Sequence, residues 1–211
     1  MEIFLSAFDP ESMVKDTVKL GYSFNSQVLT RSFYLELAQE VFRGPFEEFL
    51  DVSLGVYQKF AVFSPDYFSP DTRNRFPLLR ELGDAIGAIV RSNAGHNVSL
   101  RTWQPNDVAV QKYSGRYDGI GRHRDFASDI HLVASFTVMG TGEIGIHTKR
   151  EDPIASKFLQ TSPGSLLLLR APGLVEPDED LRITHSVRPP YSSPRISVTY
   201  RLATLLGLKG A

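Results

Sequence analysis

Three residues of metal-binding type lie in two short segments of the second half of the chain. His123 and Asp125 are two positions apart in Gly121-Arg-His-Arg-Asp125, and His185 lies in Thr184-His-Ser186. In an extended strand, side chains two positions apart leave the same face, so His123 and Asp125 can approach one ion together. Two imidazoles and one carboxylate are the ligand set that holds one face of Fe(II) and leaves its other positions open. A His-x-Asp pair often arises by chance, so this spacing needs support from elsewhere in the chain.

That support comes from a segment with two arginines, Arg195-Ile-Ser-Val-Thr-Tyr-Arg201. Its alternation predicts a strand in which both arginines share a polar face with Ser197 and Thr199, while the other face is apolar and fits a core. Two guanidinium groups that point into a sheet interior need anions beside them. A dicarboxylate bound to the metal would satisfy them through charge-assisted, bidentate hydrogen bonds.

Together these two features resemble the Fe(II)/2-oxoglutarate dioxygenases, and within them the AlkB family. The resemblance runs from about Asp107 to Leu205 and implies an enzyme that uses Fe(II), 2-oxoglutarate and O2. In this family 2-oxoglutarate is decarboxylated to succinate and CO2 while a substrate C–H bond is hydroxylated. By this resemblance, His123, Asp125 and His185 are the metal ligands and form the catalytic centre.

The resemblance also implies a cosubstrate pocket. Arg195 and Arg201 would hold the two carboxylates of 2-oxoglutarate, and the hydroxyl group of Tyr113 would hydrogen-bond to the cosubstrate. Gln111 stands where the AlkB pattern usually has asparagine, and Ser197 lies on the polar face that lines the same cavity. We therefore predict a pocket for 2-oxoglutarate that these five residues form.

Substrate contacts are predicted from two further matches and one mismatch. Arg150, in the charged run Lys149–Pro153, matches an arginine that touches substrate in AlkB, and Phe63 matches the first residue of a lid segment. Two residues after the metal aspartate, Ala127 stands where the bacterial repair enzyme has a second aspartate that contacts the damaged base. Alanine cannot make that hydrogen bond, although Asp129 is nearby.

Three functions are open at this point. The leading one is oxidative demethylation of N-alkylated nucleobases in DNA or RNA, with the aromatic segment 57–68 as a lid over an extruded base. The alternative is hydroxylation or oxidation of a small metabolite or an amino-acid side chain, which Ala127 and the acidic segment 176–180 favour. The third is a binding module that keeps the fold without catalysis. A nucleic-acid substrate would require a local basic patch, for which the candidates are Arg73, Arg75, Lys112, Arg116, Arg122 and Arg150.

The composition limits the class of protein and the kinds of site and partner that the chain can have. The chain has 211 residues, enough for one domain, and is 42% hydrophobic and 22% charged, as ordinary globular proteins are. Its net charge is -1, so no global basic field attracts nucleic acid. The absence of cysteine excludes disulfides and thiolate metal sites. We expect no signal peptide and no membrane-spanning segment, and therefore a cytoplasmic monomer without membrane contact.

The order of the predicted elements indicates an α+β fold that is mainly β. Caps and apolar spacing predict helices over 10–20, 30–44 and 77–95, with an irregular segment over 52–75. Strands are predicted at 97–103, 108–113, 120–125, 131–139, 143–148, 157–160, 165–170, 181–188 and 195–205. This pattern predicts a double-stranded β-helix (jelly roll) as the catalytic core over 97–211. Residues 1–96 would supply a substrate lid and helical support packed on one sheet.

Overall fold

A computed structural model describes residues 1–52, 56–147, 149, 154–175, 182–191 and 194–204. Within this part of the chain the helices are α1 Pro10–Leu20, α2 Arg31–Phe42, α3 Pro70–Arg75, α4 Pro77–Ser92 and α5 Val98–Arg101. None of these described helices combines the length and the apolar character that a bilayer-spanning helix needs.

The longer helices have the ends and faces that their sequences predict. The Asp9 carboxylate caps α1 by accepting from the Ser12 N–H at 3.1 Å, and Gly21 ends the helix in the left-handed region with a φ of 87°. Helix α4 buries one stripe of side chains that includes Leu82, Ile86 and Val90. The helices predicted over 10–20, 30–44 and 77–95 are therefore confirmed.

The strands all pair in the antiparallel sense. Their bounds are β1 Tyr22–Asn25, β2 Glu47–Asp51, β3 Gln58–Phe63, β4 Asp107–Tyr113, β5 Gly119–His123, β6 Asp129–Met139, β7 Gly142–His147, β8 Lys157–Thr161, β9 Leu166–Arg170, β10 Thr184–Val187 and β11 Arg195–Ala203. They form one sheet in the order β1-β9-β6-β11-β4-β3-β5-β10-β7-β8, and β2 adds to β3.

This sheet curls into a nearly closed barrel. Strand β3 makes the turn from one half of the sheet to the other, because Ala61–Phe63 pairs with β4 while Gln58 and Lys59 pair with β5. The two ends of the sheet, β1 and β8, approach each other through side chains, with the Lys157 amino group 5.9 Å from the centre of the Tyr22 ring. The predicted jelly roll is confirmed.

The core lies between the helices and one face of the sheet. The apolar face of β11, with Ile196, Val198 and Tyr200, is fully buried there. Two buried polar groups are satisfied across the same layer: Trp103 Nε1 donates to the Leu132 carbonyl at 3.0 Å, and the Tyr200 hydroxyl donates to the Leu79 carbonyl at 2.6 Å. Since one face of β11 packs on the helices, its polar face must point into the barrel.

Two predictions about the secondary structure are wrong. The segment 97–103 is not a strand, because the Asn97 side chain caps a short helix by accepting from the Leu100 N–H at 3.0 Å. The segment 52–75 is not irregular throughout, because it contains α3 and also β3, which is an internal strand of the sheet. Strands β1 and β2 also lie in the first 96 residues, so that part of the chain is more than helical support.

Candidate metal and cosubstrate site

The three predicted metal ligands come together at one end of the barrel. Strands β5 and β10 are neighbours, and His123 and His185 are directly opposite in the register. Asp125 follows β5 by two residues, and its Oδ1 lies 3.8 Å from Nε2 of His185. One donor atom from each of the three residues lies within 4.8 Å of the others. This group is the arrangement that the sequence predicts.

Backbone carbonyls orient the two imidazole rings. Nδ1 of His123 is 2.8 Å from the Gly121 carbonyl oxygen, and Nδ1 of His185 is 3.3 Å from the Ile183 carbonyl oxygen. Because a carbonyl oxygen only accepts, each Nδ1 carries a proton, and each Nε2 lies on the side of the ring away from that carbonyl. Burial, with a further contribution from the His185 ring, lowers the pKa of His123 to about 4, so this ring is neutral at physiological pH.

A bulge in β5 turns His123 towards the site. Between the pairs His185↔His123 and Val187↔Ile120, β10 advances by two residues and β5 by three. The extra residue places Ile120 and His123 on the same face of the sheet. Gly119 permits the close approach of the two strands here, since a Cβ atom on it would lie 2.6 Å from the Val187 carbonyl oxygen.

Arg195 is buried inside the barrel, and one of its nitrogen atoms is unpaired. The residue is 2% exposed. Its Nε donates to the Thr161 hydroxyl at 3.1 Å and one terminal nitrogen donates to the Thr137 hydroxyl at 3.2 Å. The other terminal nitrogen, Nη1, is buried without a hydrogen-bond partner. Since an unmet donor on a buried cation is costly, the pocket fits an anion that accepts from Nη1.

Tyr113, Ser197 and Gln111 line the same interior. Tyr113 faces Arg195 across the β4–β11 pair, and its hydroxyl group lies near Ser197 and Arg195. Burial raises the pKa of Tyr113 to about 12 against the opposing effect of Arg195, so this hydroxyl keeps its proton and can donate. Gln111 pairs with Ser197 in the register and therefore shares its face of the sheet.

Arg201 does not lie in that pocket. Its Nε is 3.1 Å from Asp107 Oδ2 and its Nη1 is 3.8 Å from Asp129 Oδ2. Two carboxylates of the chain therefore already compensate this guanidinium group. That Arg201 holds a carboxylate of 2-oxoglutarate stays a prediction, and these contacts do not bring the residue to Arg195. Burial raises the pKa of Asp129 to about 6, although the charge of Arg201 opposes this shift.

Several site residues escape prediction from the sequence. Thr137 and Thr161 hold the Arg195 guanidinium from strands β6 and β8, and Arg182 donates to the Asp125 carbonyl at 2.7 Å. The residues meet only through strand pairing over long sequence separations, so their spacing carries no signal.

Phe63 is one of the two predicted substrate residues. Phe63 is buried in the core, with its ring centre 4.9 Å from Phe46 and 5.2 Å from Phe76. It is on the opposite face of β3 from Phe60, which packs on Tyr113 inside the barrel. Phe63 is therefore a core residue and not a lid residue, which corrects the prediction.

The remaining substrate predictions concern charged segments. Arg150 and the acidic segment 176–180 lie outside the described residues. Of the proposed basic patch, Lys112 lies over the Phe46 ring at 4.2 Å, and Arg73 and Arg75 belong to α3. These three cations are therefore on the helical side of the sheet, away from the barrel interior.

Comparison by sequence gives no match, either to a protein-family model or to a curated protein. Comparison with solved structures does give matches. A prolyl hydroxylase from Trichoplax adhaerens, in complex with a hypoxia inducible factor oxygen degradation domain peptide fragment, matches with a TM-score of 0.67 and 15% identity over 95% of this chain and 92% of that one. A prolyl-4-hydroxylase from Pseudomonas putida matches with a TM-score of 0.65 and 14% identity over 93% of this chain and 100% of that one.

A third solved structure is an oxidoreductase of the 2OG-Fe(II) oxygenase family from Burkholderia pseudomallei. It matches with a TM-score of 0.63 and 14% identity over 96% of this chain and 95% of that one. The chain has the jelly-roll fold of these oxygenases. At this level of identity the likeness concerns the fold, so an argument about function must rest on the side chains of the site.

Proposed function

We propose that this protein is an Fe(II)- and 2-oxoglutarate-dependent oxygenase that hydroxylates a C–H bond of an amino-acid side chain. The observation that carries the proposal is the convergence of His123, Asp125 and His185, whose donor atoms lie within 4.8 Å of one another. The same barrel holds the buried Arg195 with an unpaired nitrogen. A metal site and an anion site inside one jelly roll are what this chemistry requires.

The donor set suits Fe(II). Backbone carbonyls hold the Nδ1 atoms of the two imidazoles, so the Nε2 atoms would face the metal, and Asp125 adds one carboxylate. Three ligands of this kind leave positions for exchangeable ligands. Arg182 would keep the carboxylate in place, since it anchors the backbone of Asp125 at 2.7 Å.

The anion pocket suits 2-oxoglutarate. Arg195 would bind one carboxylate through its unpaired Nη1, while Thr137 and Thr161 keep the guanidinium from rotating. Tyr113 would donate to a cosubstrate oxygen, since its raised pKa keeps the hydroxyl protonated. When bound, Fe(II) and 2-oxoglutarate supply the oxidation: 2-oxoglutarate and O2 yield succinate and CO2, and the second oxygen atom enters the substrate C–H bond.

Three features support an amino-acid side chain as the substrate. Ala127 lacks the carboxylate that would bind a damaged base, and Lys112, Arg73 and Arg75 do not face the barrel interior. Two of the matching solved structures are prolyl hydroxylases, and one of them holds a peptide. Demethylation of N-alkylated nucleobases, as in AlkB, is the second candidate, favoured by the match of the Arg195 strand to that family.

The test measures two products with purified protein, Fe(II), ascorbate and 2-oxoglutarate. We expect succinate formation that a peptide library stimulates, without release of formaldehyde from methylated oligonucleotides. Release of formaldehyde from an oligonucleotide would instead support demethylation, because a hydroxylated N-methyl group breaks down to formaldehyde and the free base. No succinate under any of these conditions would overturn the oxygenase proposal itself.

A further inference from the structure

Strand β2 is an open edge at the rim of the barrel. Among the described residues it pairs with β3 and with no other strand. Its residues Glu47 to Leu50 are exposed, and Leu50 is 67% exposed. An edge strand presents a row of unpaired backbone N–H and C=O groups, which is a template for another extended chain.

A line of aromatic rings joins this edge to the candidate site. The Phe49 ring stacks on Phe60 with 5.0 Å between centres, and Phe60 packs on Tyr113 at 5.7 Å. The Arg195 guanidinium lies 5.3 Å from the centre of the Tyr113 ring. One face of β2 is therefore continuous with the wall of the barrel interior.

The edge is acidic. Three of the five residues of β2 are Glu47, Glu48 and Asp51, and none is basic. On the adjacent strand, the cation Lys59 lies 3.7 Å from Asp118. A chain that adds to β2 meets complementary charge only if it carries lysine or arginine.

We propose that β2 is the docking strand for a basic, extended polypeptide, which adds to the sheet by β-augmentation and carries the substrate residue. This inference rests on the proposed function, whose substrate class it specifies. A strand of nucleic acid would meet like charge at Glu47 and Glu48.

The geometry also predicts where the hydroxylated residue lies. Because β3 is antiparallel to β5, His123 is beyond the Asp51 end of β2. With strands about 4.8 Å apart, a chain added to β2 is three strands, roughly 14 Å, from β5, and His123 is about 10 Å further along β5 than Ile120. About five extended residues span the resulting distance of roughly 17 Å. In an antiparallel pairing, the sense of the described strand pairs of this sheet, the added chain runs from the Asp51 end of β2 to the Glu47 end. The target residue should therefore precede the docked segment by about five positions.

Binding is tested without metal or cosubstrate, so the result is independent of the oxygenase proposal. The probe is the dodecapeptide (Lys-Val-Lys-Thr)3, with (Glu-Val-Glu-Thr)3 as the acidic counterpart. We expect the basic peptide to bind, to slow hydrogen exchange at the amides of β2, and to lose affinity with added salt. N-methylation of alternate peptide amides should abolish binding when it falls on the edge that faces β2, and not when it falls on the other.

The variant Glu47→Lys/Glu48→Lys should weaken binding at least tenfold. Its control is Glu36→Lys/Glu81→Lys, which makes the same change of charge at exposed helical positions, and a thermal melt checks the fold of both. Equal affinity in the two variants, exchange protection elsewhere than β2, or tighter binding of the acidic peptide or of single-stranded DNA would overturn the proposal. Failure of the peptide to bind while succinate still forms would reject this inference alone.

Discussion

At the scale of single residues, the two arginines of β11 have opposite surroundings. Arg195 is buried between two threonines and lies beside no carboxylate, whereas Arg201 lies between Asp107 and Asp129, and each has one buried nitrogen without a hydrogen-bond partner among the described residues. The alternation of the strand predicts correctly that both point into the barrel. It does not predict their partners, because the two aspartates come from strands on either side of β11 and from distant parts of the sequence.

Replacement of Arg195 should affect cosubstrate binding. Arg195→Ala removes a buried, charge-assisted pair with a carboxylate, for which a loss of roughly 2–5 kcal/mol is typical. The apparent affinity for 2-oxoglutarate should fall at least tenfold, since about 1.4 kcal/mol corresponds to one decade. Arg195→Lys should restore only part of it, because lysine lacks the planar fork. An unchanged dependence on 2-oxoglutarate in a titration of Arg195→Ala would place the anion site elsewhere.

Replacement of Arg201 should affect stability instead. Arg201→Ala leaves Asp107 and Asp129 without their cation. The loss should be on the order of 2 kcal/mol, below the roughly 3–5 kcal/mol of a fully buried pair because the arginine is partly exposed. Urea denaturation measures this loss, and the affinity for 2-oxoglutarate should change less than threefold. A tenfold loss of that affinity with unchanged stability would restore Arg201 to the cosubstrate pocket.

At the scale of elements, the site depends on how closely β5 and β10 approach. The glycine-rich sequence before His123 predicts a tight backbone, and the bulge and close contact at Gly119 are its structural form. Strand β3 is not predicted because its residues are buried or half-buried on both faces, so Gln58–Phe63 shows no alternation. The segment 97–103 resembles a strand in sequence because Val98 and Leu100 alternate with polar residues. It forms a helix because the Asn97 side chain caps the first turn.

Replacement of Gly119 should disturb the close approach of β5 and β10. In Gly119→Ala the new Cβ would meet the Val187 carbonyl oxygen at 2.6 Å, and a backbone atom cannot move without shifting the strand. We expect a loss of stability on the order of 1–3 kcal/mol together with weaker Fe(II) binding. Gly121→Ala is the matched control, since its nearest contacts are at 3.3 and 3.4 Å. Equal melting temperatures for the two variants would contradict this account of β5.

At the scale of the whole molecule, the chain has two interiors of different composition. The helices and one face of the sheet enclose the main apolar core, while the barrel encloses the charged residues of the site beside a second apolar cluster, which includes Ile146, Leu159 and Leu167. Periodicity in the sequence predicts this division, since β11 alternates strictly. It does not predict the order of strands around the barrel, which depends on pairings between residues far apart in the chain, such as Tyr22 with Leu169, nor the outer strands β1 and β2.

The charged interior should make stability depend on pH. Burial raises the pKa of Asp129 from 3.8 to about 6, so the folded state favours the protonated acid. The stability that this proton contributes is complete below about pH 4 and is lost as the pH rises through 6. Relative to Asp129→Asn, the wild type should therefore lose on the order of 2–3 kcal/mol between pH 4 and pH 7. Denaturation at both pH values measures the difference, and parallel pH profiles for the two proteins would refute it.

The most direct test of the central claim is an anaerobic titration of the apoprotein with Fe(II). The account predicts one Fe(II) per chain in the wild type and loss of that binding in His123→Ala, Asp125→Ala and His185→Ala. Each variant should keep the circular dichroism spectrum of the wild type, because the three donor atoms meet one another at the end of the barrel and not in the apolar core. Iron affinity like that of the wild type in any one variant would remove that residue from the metal site, and no binding by the wild type would contradict the claim as a whole.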